Sequence, residues 1–529
     1  MAGRMFGAYL GILAAFALLF IRTAALASDR TLSDAAAYQS TKTVLLSSSR
    51  GLIYDRNLEP LAGRESTTAA VVFPGEASPT VLEKLLSGDS LLAAMRSRLP
   101  FLTAAKLPES EGVYFFEQPV RYAEDQTAVH LIGYLDGNGA GVYGVEKAFD
   151  GLLSGAGPSV SVTYSTDAYG NLIGTPSVDA KHADGGKDAA VVLTIDTQIQ
   201  RIAEAVLKEH LEKGAAVVMD VHTGDLLACA SVPEFDPDNP AASLSDENAP
   251  FLNRAFSAYA VGSTFKLVVA AAALESGISP DYKVYCSGAV DVDGQVFHCH
   301  WTTGHGELDM ATAMKYSCNP YFITLAQEVG GEKILEMAQN LGFGSPCDFW
   351  DGLGAAAGTL PTETEIQNPA ELASFAFGQG KLSATPVQLA ALISAAANGG
   401  EAVTPRLVKG IYDADGTYTE TTSYEPNPVM SAQTAALLRE MTKGVLEEEA
   451  ISAAMPASGG GGGKTASAQT GQYDETGAEI IEAWFIGYFP AEEPEYAVVV
   501  LAEDAESGTY DAAPLFKEIA DRINALGEK

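Results

Sequence analysis

Apolar, strand-like runs stand at both ends of the segment 189–529, with long helical patterns between them. Near its start, "AAVVMDVHTGDLLACAS" (215–231) reads as a hairpin, two apolar runs around His222-Thr223-Gly224-Asp225. Near its end, "AWFIGYFP" and "EYAVVVLAE" read as strands, and "LFKEIADRINAL" as a terminal amphipathic helix. Isolated strands need partners. These runs therefore predict one sheet assembled from distant parts of the chain, an α+β arrangement. "AAVVLTID" (189–196) is a further strand, and "TQIQRIAEAVLKEHLEK" an amphipathic helix expected to be capped by Thr197.

The other end of the chain is of a different kind. Residues 5–21, "MFGAYLGILAAFALLFI", carry no charge and are about long enough to cross a bilayer with their flanks. "ALA" at 25–27 offers the alternative of a cleaved signal peptide, although Arg22 intervenes. No second run of this length follows, so everything after about residue 28 is expected on one side of the membrane. Residues 29–49 read as a polar juxtamembrane linker. "GNLIGTPSVDAKHADGGKD" (170–188) reads as a domain boundary. A formal net charge of -36 argues against nucleic acid as a partner, because phosphate would be repelled.

Two stretches imitate nucleotide-binding motifs. In "SGGGGGKTASAQTG" (458–471), Ser458 stands where the phosphate loop needs its first glycine. No apolar strand precedes it, and "TASAQTGQY" alternates small and polar groups as an extended edge would. "GAGVYG" (139–144) matches G-x-G-x-x-G but lacks a clear strand before it.

Three short stretches can carry chemistry. In "GSTFK", Ser263 and Lys266 lie three apart, which on a helix puts them on one face. An alcohol becomes a nucleophile only with a base in reach, and a lysine is a base only when its pKa is lowered. The alternative is a helix start with Ser263 as cap and Lys266 on a solvated face. In "MKYSCNPYF", Ser317 could relay a proton and Asn319 grip a carbonyl; the alternative is a turn built by Asn319-Pro320. An extended Lys464-Thr465 edge offers an ammonium, a hydroxyl and backbone N–H groups, a set suited to a carboxylate.

Taken together, in the order S-x-x-K, S-x-N, K-T-x, these motifs match the set of penicillin-binding proteins and serine β-lactamases. The chain resembles a class B penicillin-binding protein, a peptidoglycan D,D-transpeptidase, over nearly its whole length. "RGLIYDRNLEPLA", "HLIGY", "GVYGVEKAFDGLLSG", "VVLTIDTQIQ", "FGQGKLSATPVQLA" with "ANGG", and "AWFIGYFP" resemble family segments in order. The resemblance implies a signal-anchor segment (1–28), a non-catalytic pedestal domain (29–188) and a transpeptidase domain (189–529). It implies a sheet flanked by helices, as in serine β-lactamases, and class B because no glycosyltransferase domain precedes.

The resemblance also implies roles. Ser263 is the acylated nucleophile, Lys266 its base, and Ser317 the proton carrier to the leaving amine. Asn319 orients the stem peptide, Lys464 supplies positive potential, and Thr465 binds the terminal carboxylate. Backbone N–H groups of Ser263 and Ser467 form the oxyanion hole. Ala466 departs from the family's usual glycine, a methyl expected to crowd the substrate backbone; Val261 stands where proline is common. Stem peptides, β-lactams, the membrane and a glycosyltransferase partner are the implied partners, with the catalytic domain extracytoplasmic. A catalytically weak β-lactam sensor or cell-wall scaffold is the alternative function. Catalysis itself requires no cofactor.

The five cysteines, Cys229, Cys286, Cys299, Cys318 and Cys347, are an odd count. Cys286, Cys299, His305 and Cys318 can make a closed tetrahedral zinc site, with His298 and His300 alongside. Some elongation-type relatives carry a zinc in this region. A Cys286–Cys299 disulfide with Cys318 buried is the other expectation.

Overall fold

The computed structural model describes residues 2–29, 31, 40–63, 65–104, 107–157, 159–167, 171–181, 189–421, 425, 427–448, 451–473 and 476–527. Helix α1 (Ala2–Ala27) has the length and the mean hydropathy, 2.2, to cross a membrane. The chain divides into two compact units interleaved along it. The smaller holds 65–120 and 155–186 with the N-terminal residues to 50; the larger holds 51–64, 121–154 and 187–529.

The smaller unit contains two three-stranded antiparallel sheets. Its strand Glu65–Val72 shows the two-residue period of a pleat: Val71 packs with Phe73 and Val162, whereas Ala70 and Val72 pack with Val81 and Leu82. Here the structure corrects two expectations. Thr41–Ser48, within the expected linker, is a strand paired with Ser159–Thr166. Leu172–Lys181, within the expected boundary, is a strand paired with the same segment. Of the remaining residues of the linker and boundary, 30, 32–39, 170 and 182–188 lie outside the described residues.

The larger unit is built on a five-stranded antiparallel sheet of β1 (Gly214–Asp220), β2 (Leu226–Val232), β3 (Gly462–Tyr473), β4 (Glu479–Phe489) and β5 (Tyr496–Ala502), in the order β2-β1-β5-β4-β3. The predicted hairpin is β1–β2, and the predicted joining of distant strands is the β1–β5 pairing, Val217 opposite Val499. Runs such as "AVVVLA" are apolar without alternation because both faces of the sheet are covered. The unit's helices include α2 (Thr197–His210), α3 (Lys266–Glu275), α4 (Met310–Lys315), α5 (Asn319–Val329), α6 (Pro386–Ala397), α7 (Ala432–Leu446) and α8 (Ala513–Gly527). Of these α6 packs on β1, β4 and β5; α2 packs on β1 and β2; α8 packs on β4 and β5. Asp196, not Thr197, caps α2, its carboxylate accepting from Gln198 N and Ile199 N. Thr197 Oγ1 instead donates to Asp55 Oδ2.

A second five-stranded sheet joins Val408–Tyr412, Tyr418–Glu420, Ala190–Leu193, Leu52–Tyr54 and Pro60–Ala62. The parallel pairing of Leu52–Tyr54 with Ala190–Leu193 draws 51–64 into the larger unit.

Candidate active site

Ser263 sits on the 3-10 turn Gly262–Phe265, which runs directly into α3. The turn is fixed from two sides. Gly262 has φ +55, and a Cβ there would lie 3.1 Å from Ala468 Cβ and 3.3 Å from Ala466 Cβ on β3. Gly262 N donates to Gly378 O, and a Cβ on Gly378 would fall 1.8 Å from Gly262 O. Only glycine permits this approach. Ser263 is thus held at a crowded junction and is not the cap of α3.

Lys266, the first residue of α3, is completely buried. Its Nζ lies 3.0 Å from Ser263 Oγ, 3.0 Å from Ser317 Oγ, 2.7 Å from Ser317 O and 2.7 Å from Asn319 Oδ1. The solvated-face alternative for Lys266 is thereby excluded. Burial, and then the nearby Lys464, hold the Lys266 pKa well below the usual lysine range. A neutral amine in contact with a serine hydroxyl can accept its proton. Ser317 lies in the loop between α4 and α5 with φ 50, an unusual conformation for a residue with a side chain. That conformation aims both its carbonyl and its hydroxyl at Lys266. Asn319 opens α5 and donates through Nδ2 to His298 O.

Among the described residues β3 is an edge strand, paired with β4 alone in its sheet. It runs past Gly262, so that Thr465, Ala466 and Ser467 share one groove of about 600 Å³ with Ser263, Ser317 and Asn319. Lys464 is fully buried, its Nζ donating to Thr465 O at 2.9 Å, and burial lowers its pKa to about 7. Ala466 is nearly buried, its methyl close to Gly262. Ser467 is exposed, and its Oγ accepts from Gly508 N. The two glycines immediately before Lys464 stand at a crowded strand entry: a Cβ on Gly462 or Gly463 would strike Tyr488 or Phe485.

The groove also takes in His300, Trp301, His305, Lys315, Tyr316, Glu448, Ile451 and Thr509. Most of these carry no local motif. Glu448 follows α7 and Thr509 follows β5, and neither position shows a sequence signal.

The Cys/His expectation maps onto one cluster. The ligand atoms of Cys286, Cys299, His305 and Cys318 all lie within 4.8 Å of one another, and the three cysteines are buried. All five cysteines are free thiols, so the Cys286–Cys299 disulfide is absent. Hydrogen bonding from Cys318 pulls the Cys299 thiol down to about 3 while raising that of Cys318. The loops that fold around the cluster turn at Gly288 (φ 96) and Gly304 (φ 79), where a Cβ would strike Thr302 O and Cys286 O. Tetrahedral zinc with bonds of about 2.3 Å to sulfur spaces its ligands by roughly 3.8 Å, so the donor set fits that metal.

Residues 214–521 match the family model of the penicillin binding protein transpeptidase domain. The stage V sporulation protein D of Bacillus subtilis is 33% identical over 450 residues, spanning 80% of this chain and 67% of that protein. A chain of a peptidoglycan synthase complex, described as coordinating polymerization and crosslinking, superposes with a TM-score of 0.72 at 26% identity, covering 99% of this chain and 98% of that one. Penicillin binding protein 3 of Mycobacterium tuberculosis, complexed with ampicillin, gives 0.66 at 25% identity, covering 92% and 96%.

Proposed function

The chain belongs to the penicillin-binding protein transpeptidase family, and from that premise we propose the roles its residues play in a class B D,D-transpeptidase that cross-links peptidoglycan stem peptides. Ser263 Oγ attacks the carbonyl of the penultimate D-Ala as its proton passes to Lys266 Nζ. The tetrahedral oxyanion takes hydrogen bonds from the backbone N–H groups of Ser263 and Ser467, donors of a kind that contribute on the order of 3 kcal/mol each. Ser317 carries the proton from Lys266 to the leaving D-Ala amine. An amine of a neighbouring strand then attacks the ester and frees Ser263. Thr465 receives the substrate carboxylate, with Lys464 behind it as the source of positive potential. Asn319 orients the peptide amide. β-Lactams enter by the same acylation and stop at the ester.

One observation carries this reading: the single amine of Lys266 touches Ser263, Ser317 and Asn319 from a fully buried position. In a cross-linking assay on lipid-linked substrate with a glycosyltransferase, the protein yields cross-linked product that penicillin abolishes, and Ser263→Ala yields none. Product formation by Ser263→Ala overturns the reading. α1 anchors the chain as a single pass with the catalytic unit outside the cytoplasm. A glycosyltransferase of the cell-wall machinery is its partner.

Cys286, Cys299, His305 and Cys318 would hold a structural zinc. Cys318 lies between Ser317 and Asn319, so these ligands would brace the loop that carries both residues, and the acyl transfer itself would need no metal. Purified protein is expected to contain about one zinc, and Cys299→Ser substantially less. A wild type without zinc overturns this assignment.

A further inference from the structure

The groove that holds Ser263 has a charged end. Among the described residues that line it, the charged side chains are Lys315, the last residue of α4, and Glu448, just beyond α7. They meet at 3.0 Å, and each keeps about 30% of its side chain accessible. The remaining lining groups are hydroxyls, one amide, the imidazoles of His300 and His305, the rings of Trp301 and Tyr316, and apolar side chains. Lys266 and Lys464 are buried behind the wall and are absorbed by the chemistry.

An ammonium in contact with one carboxylate still has two N–H donors, and the carboxylate keeps free lone pairs. Side by side, the two present a cation and an anion within one hydrogen-bond length. A ligand group carrying a carboxylate and an ammonium on the same carbon matches both at once. A group with a single charge leaves one partner unmatched, and in a partly desolvated groove that mismatch weakens binding.

We propose that Lys315 and Glu448 read the side chain of the stem peptide's diamino acid, and that they select one ending in an ammonium and a carboxylate on one carbon over one ending in an ammonium alone. The inference rests on the transpeptidase reading and adds the substrate class. In it Lys315 takes the side-chain carboxylate and Glu448 the side-chain ammonium. The Tyr316 ring, 6.0 Å from Lys315 Nζ, lines the same wall.

The test uses the full-length protein, a fluorescent penicillin and two pentapeptides ending in D-Ala-D-Ala. The peptides differ only at the third residue, which is lysine in one and a diamino dicarboxylic acid in the other. The readout is the peptide concentration that halves the labelling rate. Wild type is expected to favour the dicarboxylic peptide by about two- to fivefold, the scale of one accessible charge contact. Lys315→Met brings the ratio near one and Lys315→Arg keeps it. Glu448→Gln weakens both peptides, since both carry the ammonium, and leaves the preference in place.

A pair that merely staples α4 to the end of α7 makes Lys315→Met and Glu448→Gln behave alike. That result overturns the proposal, as does a wild-type ratio near one, which needs no variant to fold. A wild type that takes no label overturns the transpeptidase reading and this inference with it. A labelled wild type with no preference overturns the inference alone.

Discussion

Lys464 and Lys266 are both fully buried lysines, and the proposed mechanism gives them different tasks. Lys266 has three polar neighbours arranged to take a proton. Lys464 has one, the carbonyl of its own neighbour Thr465, so its charge remains available to a carboxylate in the groove. Burial lowers the Lys464 pKa to about 7, whereas the unfolded chain holds it near the usual 10.5. Between these values the unfolded state binds the extra proton, so this residue's destabilising contribution is full below about pH 7 and fades as pH rises toward 10.5. Lys464→Met is therefore expected to gain thermal stability over wild type at pH 6 and to lose most of that advantage by pH 9.5, measured as the difference in Tm at each pH. A constant difference contradicts the assignment. Capture of a substrate carboxylate needs the charged form, so affinity in wild type should fall as pH rises through about 7. Ala466 is a smaller question. Its methyl packs beside Gly262, which puts the family's usual glycine and this alanine in contact with the nucleophile turn.

The nucleophile turn and the edge strand β3 set each other's position. Gly262 lies against Ala466 and Ala468, and Gly378 lies against Gly262. Gly378→Ala would place a Cβ at 1.8 Å from Gly262 O on a residue with φ +81. The variant should lose about 2 kcal/mol or more of stability and acylate with penicillin at least tenfold more slowly, read by melting and by labelling rate. Unchanged values of both would show that the turn is not held from that side. These contacts also explain what the sequence disclosed. The three motifs were legible because each packs its chemistry into three or four adjacent residues, and the β1–β2 hairpin because its turn and its apolar runs are contiguous. The strand Thr41–Ser48 was read as linker because its partner, with Thr41 opposite Ser165, lies far along the chain and "TKTVLLSS" is polar at both ends. Thr197 was taken for a helix cap because both Asp196 and Thr197 suit that position, and only the tertiary bond from Thr197 to Asp55 separates them. Lys315 and Glu448 were silent in the sequence, since their meaning arises from a contact between the ends of two helices.

The whole molecule combines an apolar N-terminal helix, a smaller unit of two three-stranded sheets and a larger unit whose central sheet is closed by the last strands of the chain. Because β3, β4 and β5 complete a sheet begun by β1 and β2, the site forms only when residues some 200 positions apart fold together. Its chemistry converges on a single oxygen. Incubation of the full-length protein with a labelled penicillin, followed by proteolysis and mass mapping, locates the bond that forms. The adduct is expected on the peptide containing Ser263, with Ser263→Ala taking up no label. Label on any other residue, or undiminished label in that variant, would contradict the mechanism.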